Sequence, residues 1–476
     1  MYLSIIIFTI FYLFIILGIN IYSSKNIEIN EDFAIAGKNA KTLYLASAIV
    51  ATEIGVASSL GVFEKAYGDW GLSASWYIIT MALAFIFISF FSHNFRQIRV
   101  KTIPEYFRKR YGKSSGLFSA LLMIFPLIIL TLVQVVAAGK VLSILLNVDY
   151  KLTVTFVSLF IVLYTTIGGQ EGLIKSKFFY VIIFIIGMFL IIPNILQLCW
   201  DYPTAIKNIS DDKLNLLNGI SIPTIISLLI MYIATFCVGQ EVASFFYSAK
   251  KPSYTNKASR IASIILFVFA FIPVFLGLLL LSLKNMGRID ENIIFIDGIR
   301  YGLLYYVINY ANPFILGVLL LSLLSITMSS ADSDLLAIGI IFSNDIYKVH
   351  LDKTADDEQV IRITRIVIIM FGIIVYLLAL FNNPSIINLL IFTFSLRAAG
   401  AFIPYIFGLY WKKSSSIGAL ASLILGSISF IIFKFIQFDL FGFEPIIYSL
   451  IVSLVAFILF SKLFPPVIES LELVED

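Results

Sequence analysis

The residues best placed to do chemistry lie where a membrane helix should hold none. Leu323–Leu336 reads LLSITMSSADSDLL inside a long apolar run. Ser329 and Ser330 are adjacent, and Asp332 and Asp334 follow them. Hydroxyl oxygens suit a hard cation such as sodium, by extension from the oxygen ligands of calcium and magnesium. A serine in a membrane helix more often bonds back to the carbonyl one turn earlier. Neighbours on a helix point about 100° apart, so one face cannot explain both. Asp332 and Asp334 either line an inner water-filled path or serve packing near the cytoplasmic interface.

Two further stretches place small and polar residues in mid-span: ATEIGVASS at Ala51–Ser59 and ATFCVGQEVAS at Ala234–Ser244. Gly55 and Gly61 flank one expected break in a helix, and Gly239 marks the other. Broken backbone is tolerated at membrane depth only where it faces protein or a water-filled cavity. Its freed carbonyls can bind a cation and its freed amides an anionic group. Small residues also simply let helices pack closely. The pairing of the two stretches, with Glu53, Gln240 and Glu241, favours a site. Charges inside a membrane are functional by default. Glu53 can neutralise Lys177, contact a cationic solute or carry a proton. Arg397, in FSLRAAG, can form a salt bridge across the outer vestibule or bind a solute carboxylate.

The elements that must position these residues follow from composition. The chain has 476 residues, 60% hydrophobic and 13% charged, with a mean hydropathy of +0.99. That is too little charge to cover a water-facing surface. Apolar runs of about 20 residues, without alternation, give an all-α polytopic membrane protein of about 13 transmembrane helices. The first run, 2–22, lacks a basic n-region and an A-x-A site, and reads as a retained helix rather than a signal peptide. HNFRQIRVKTIPEYFRKRYGK, SAKKPSYTNKASR and YWKKSSS are basic connections, whereas YGDWG and NNPS are poor in basic residues. The basic side is cytoplasmic, which puts the N-terminus outside and the C-terminus inside. The organisation expected is an N-terminal helix and linker over 1–41, five helices over 42–198, five inverted helices over 199–411, and two helices with a short tail over 412–476. Inverted five-helix repeats are a transporter architecture. Only two cysteines, Cys199 and Cys237, and two histidines, His93 and His350, are present, so neither a disulfide framework nor a histidine-based metal enzyme is expected.

Several segments together resemble the sodium:solute symporter family, which has the leucine-transporter fold. They are DFAIAGKNAKTLYLASAIVATEIGVASSLGVFEKAYGDWG, KTIPEYFRKRYG, YTTIGGQEGL, MSSADSDLLAIGIIFSNDIYK and AAGAFIPYIFGLYWKKSSSIGALAS. In this order they span most of residues 30–425. The resemblance implies a 5+5 core with broken first and sixth helices. It also implies a sodium site made by the Ser329 and Ser330 hydroxyls and the carbonyls of Ala51, Ile54 and Ile326. The solute candidates it implies are Glu53, Gly55 and Ser58 on the first core helix, Gln134 on the third, and Phe236 and Gln240 on the sixth.

One position departs from the family. Many relatives carry an aspartate eight residues after the glycine pair, where this chain has Lys177. A lysine there repels a second sodium. It either snorkels to the cytoplasmic interface, pairs with Glu171 or Glu53, or stands in for sodium at the serines. Lys177, Asp332, Asp334 and Arg397 are therefore candidates for coupling or gating.

The reading is sodium-coupled symport of a small organic solute across the cell membrane by alternating access, with sodium as coupling ligand and no other cofactor. An amino acid or small carboxylate is favoured as solute, and no nucleic acid is involved. Proton-coupled or uncoupled transport through Lys177, and a non-transporting solute sensor, are the alternatives. No catalytic constellation points to an enzyme.

Overall fold

The computed structural model describes residues 2–466 apart from 99, 199–206, 291, 293–295, 311 and 382–385. Cys199 and the tail from 467 on lie outside the described residues. Helix dominates because the apolar runs offer no other way to satisfy backbone groups in lipid. In chain order the principal helices are α1 Tyr2–Ser24, α2 Thr42–Glu53, α3 Ala57–Tyr67, α4 Gly71–Ile88, α5 Lys113–Leu146, α6 Tyr150–Leu198 and α7 Ile222–Val238. They continue as α8 Gln240–Tyr247, α9 Pro252–Asn285, α10 Pro313–Leu351, α11 Asp357–Ala379, α12 Ile386–Tyr410, α13 Ser416–Phe435 and α14 Pro445–Leu463.

Nine described helices are long and apolar enough to cross a membrane, or eleven when each of two bent pairs forms one span. The sequence suggested about thirteen. The difference lies in α1, whose described apolar stretch is the shorter Thr9–Ser24, and in α6. The latter runs as one element through a kink at Gly169, whose φ of 54° and ψ of −160° are not helical.

The bent pairs are the two breaks expected from the glycines. Helices α2 and α3 meet at 59°, and α7 and α8 at 55°. Gly61 takes no part in the first break, since its φ of −70° and ψ of −43° continue the helix. The feet of the two broken helices are tied together. Ala40 before α2 and Ala249 after α8 form a parallel bridge, in which Ala40 N donates to Ser248 O at 3.0 Å and Lys250 N to Ala40 O at 2.9 Å.

Helix α10 is the central post. It packs along α6 and α5 and buries nearly every residue from Leu316 to Ile341. The exposed large side chains lie on the periphery, for example Phe14, Leu159, Leu163, Phe267, Ile373 and Phe435. That inside-out pattern is what a lipid-facing surface requires.

Candidate functional site

Helix α2 ends where Ile54 leaves helical geometry, at φ −80° and ψ 77°. The amide of Val56 is freed by the break, and Gln134 Oε1 on α5 accepts its hydrogen bond at 3.2 Å. A Cβ on Gly55 would stand 2.6 Å from Gln134 Nε2 and 3.2 Å from Ser330 Oγ. Glycine thus leaves room for the Gln134 and Ser330 side chains from α5 and α10 and is not demanded by an unusual φ. Opposite the break, both serines reach across from α10. Ser329 Oγ donates to Ala51 O, and Ser330 Oγ to Thr52 O at 2.9 Å and Ile326 O at 3.3 Å. Ser329 is fully buried and Ser330 nearly so. The paired serines therefore clasp the open end of a broken helix. Ile54 is buried, but its carbonyl receives no hydrogen bond from either serine. Thr52, which the sequence did not single out, takes that place.

Lys177 neither snorkels nor pairs with Glu171 or Glu53. Its ammonium donates to Ser329 O and to Asp332 Oδ1, the latter at 3.1 Å, and both charged side chains are fully buried. Tyr164 OH donates to the other carboxylate oxygen of Asp332 at 3.0 Å. It is Lys175 that pairs with Glu171, at 2.6 Å. The position of Asp332 is corrected likewise. It is fully buried as the partner of a lysine, not a packing residue at the interface.

Next to the serines is a small cavity. Glu53, Gly55, Ser58 and Gln134 line it, as the sequence suggested. Thr52, Tyr77, Glu241, Ser330, Asp334 and Phe394 join them. Asp334 thus belongs to the central cavity, one helical turn past Ser330. Ser58 Oγ bonds to the carbonyls of Glu53 and Gly55 at 2.9 and 3.2 Å, so its hydroxyl stabilises the break. Two candidates stand apart from the cavity. Gln240 points to the loop before Ile103, accepting from Ile103 N at 2.8 Å and donating to Lys101 O at 3.1 Å. Phe236 stacks between Phe85 and Tyr232, with centroids at 4.6 and 5.4 Å.

Arg397 spans from α12 to the second break. It grips Glu241 through two bonds, Nη1–Oε2 at 2.9 Å and Nη2–Oε1 at 2.5 Å, and gives Nε to Thr235 Oγ1 at 2.7 Å. A Cβ on Gly239 would lie 2.7 Å from Glu241 Oε1 and 2.8 Å from Arg397 Nη2. The glycine again makes room for the contact that fixes the break.

Comparison with known proteins decides the family. Residues 33–426 match the sequence profile of the sodium:solute symporter family. The chain belongs to the sodium:solute symporter family. Among its relatives, the osmoregulated proline transporter of Bacillus subtilis is 28% identical over 70% of this chain and 67% of its own. The sodium/pantothenate symporter of Escherichia coli is 22% identical over the whole of both chains. The substrate-bound, outward-open structure of a sodium-coupled sialic acid symporter superimposes with a TM-score of 0.84 at 19% identity. That match covers 98% of this chain and 99% of the other. The protein is therefore a multi-pass, sodium-coupled membrane symporter with the leucine-transporter fold, and not an enzyme.

The donor set at the serines fits sodium. The hydroxyls of Ser329 and Ser330 and the carbonyls of Ala51, Thr52 and Ile326 are neutral oxygens drawn together by the contacts above. Neutral hard oxygens suit a weakly acidic monovalent ion better than thiolate or imidazole would. What sequence reasoning missed in the symporter is the pairing of its charges. A buried lysine needs a counter-ion, and Asp332, one turn past the serines, was the signal that could have supplied it.

Proposed function

We propose that the symporter carries a small organic solute into the cell by alternating access, driven by sodium held at Ser329, Ser330 and the carbonyls of Ala51, Thr52 and Ile326, with Thr52 in the place expected of Ile54. The observation that carries this reading is the reach of both serine hydroxyls from α10 to the open end of α2. A cation among these oxygens links α10 to the broken helix and favours one arrangement of the two. The solute then occupies the cavity beside them, against Glu53, Gly55, Ser58 and Gln134. Gln240 and Phe236 support the second break from outside the cavity.

The ammonium of Lys177 disfavours a second sodium beside the first, so one sodium per cycle is expected here. Lys177, Asp332, Asp334 and Arg397 serve coupling by holding the charges around the two breaks. The basic loops support a cell-membrane orientation with the N-terminus outside and the C-terminus in the cytoplasm. Relatives are named for proline and pantothenate transport. An amino acid suits this cavity better than a simple carboxylate, because Arg397 is already engaged by Glu241.

The test is thermal unfolding of the purified protein in detergent, titrating NaCl against KCl at constant ionic strength. A ligand that binds only the folded state raises its stability by mass action. A saturable rise specific to sodium is expected, lost in the Ser329→Ala, Ser330→Ala double variant. Equal responses to the two salts would refute the sodium site and leave Lys177 as the resident cation.

A further inference from the structure

The charge of the central cavity is unusual for a site that takes a neutral or anionic solute. Its lining holds the carboxyl groups of Glu53, Glu241 and Asp334 and no basic side chain. Arg397 neutralises Glu241, and Lys177 is engaged by Asp332. Glu53 and Asp334 remain. They are only 7% and 4% exposed, line the cavity, and make no side-chain hydrogen bond or ion pair among the described residues. The Thr52 hydroxyl, on the same wall, is also buried without a partner. Buried charge without a partner is costly, so its presence on a cavity wall points to a ligand that supplies the missing charge.

The nature of that charge follows from the arrangement. Among the described residues, no three of His, Cys, Asp and Glu are grouped closely enough to hold a metal ion. Three carboxyl groups thus line one cavity without forming a metal-holding cluster, which suits a polyatomic cation. Tyr77 and Phe394 add aromatic rings to the lining, and ring faces attract ammonium and guanidinium groups. Resting on the sodium reading above, we propose that the solute is a small organic cation of net charge +1, held by Glu53 and Asp334. The charge count supports a single positive charge. With Glu53 and Asp334 both ionised in the loaded state, sodium beside Ser330 would offset one charge and the solute the other. Two sources share this chemistry: a cationic amino acid, and a simple amine or quaternary ammonium compound.

The experiment uses the full chain in detergent and reads thermal unfolding in NaCl and in KCl. The cationic probes, each of net charge +1 at neutral pH, are L-arginine, L-lysine, n-butylguanidine and choline. The comparison probes are L-proline, L-glutamate and pantothenate. At least one cationic probe is expected to give a saturable, sodium-dependent rise. Glu53→Gln and Asp334→Asn should each weaken that response by roughly thirtyfold, the lower range for removing one member of a buried charge pair. A cooperative transition in each variant checks that it is folded. Arginine and lysine acting without n-butylguanidine or choline would assign the amino-acid source, and the reverse pattern the simple cation. The proposal is overturned if no cation shifts the transition, if only the neutral or anionic probes do, or if both variants respond like the parent. A parent protein that responds to sodium but to no cation keeps the sodium site and loses this proposal. A parent that ignores sodium loses the earlier reading instead.

Discussion

Replacing Lys177 by methionine removes one charge from a fully buried pair while nearly keeping the side chain's length. At the observed 3.1 Å separation, an effective dielectric constant of about 20 gives a gross attraction of roughly 5 kcal/mol. The hydrogen bond from Tyr164 to Asp332 survives and offsets part of the loss. The net destabilisation expected for Lys177→Met is about 3 to 4 kcal/mol, within the range for breaking a buried pair from one side. Adding Asp332→Asn removes the stranded charge and can keep the Tyr164 contact, so the double variant should recover at least half of the loss. The assay is a set of melting or denaturant curves on the parent, both singles and the double, all in sodium-free buffer. A second readout separates position from packing. The ammonium donates to Ser329 O, whose own hydroxyl is a sodium ligand in the proposed site. Its removal should therefore lower the sodium concentration needed for half-maximal stabilisation. The reasoning fails if Lys177→Met melts like the parent, if the double variant is less stable than the single, or if the sodium midpoint rises.

Arg397→Lys keeps the charge but cannot hold Glu241 with two parallel bonds and Thr235 with a third. A loss of roughly 2 kcal/mol is expected, with weaker solute-dependent stabilisation; unchanged melting and unchanged solute response would refute the role assigned to this contact. Gly55→Ala should weaken both ion and solute responses, because the new methyl group meets Gln134 Nε2 at 2.6 Å and Ser330 Oγ at 3.2 Å; a variant with parental titrations would show that Gln134 simply swings aside. Outside the membrane-spanning helices, partial burial alone would raise the carboxyl of Asp297, but hydrogen bonds from Lys140 and Tyr305 outweigh it and hold it below the ordinary aspartate range. Its contribution is present above the unfolded-state value and is lost as pH falls through the lower folded value. Solvent screening limits it to about 1 kcal/mol or less, so Asp297→Asn should flatten the acid limb of a stability–pH curve only slightly, and a large change near neutrality would contradict the assignment.

What could be read from the sequence and what could not divide along a physical line. The broken helices were legible because backbone breaks need local chemistry: Gly55 and Gly239 each sit among small and polar residues inside apolar runs. The serine pair was legible because two adjacent hydroxyls in lipid cannot share one face. Partner choice was not local. Lys177 and Asp332 are far apart in sequence, and only the packing of α6 along α10 brings them together. Before that packing is known, Glu53, Glu171 and Asp332 are equivalent partners for a lysine. The same limit misplaced Gln240. It neighbours the right glycine, yet the bend of 55° between α7 and α8 turns its amide toward Lys101 and Ile103, while Glu241, one residue later, reaches the cavity. A rotation of about 100° between neighbours therefore decides which of two adjacent polar residues lines the cavity. The charge left in the cavity rests on that rotation, which lets Arg397 meet Glu241, and on the choice of Asp332 by Lys177, which leaves Glu53 without a partner.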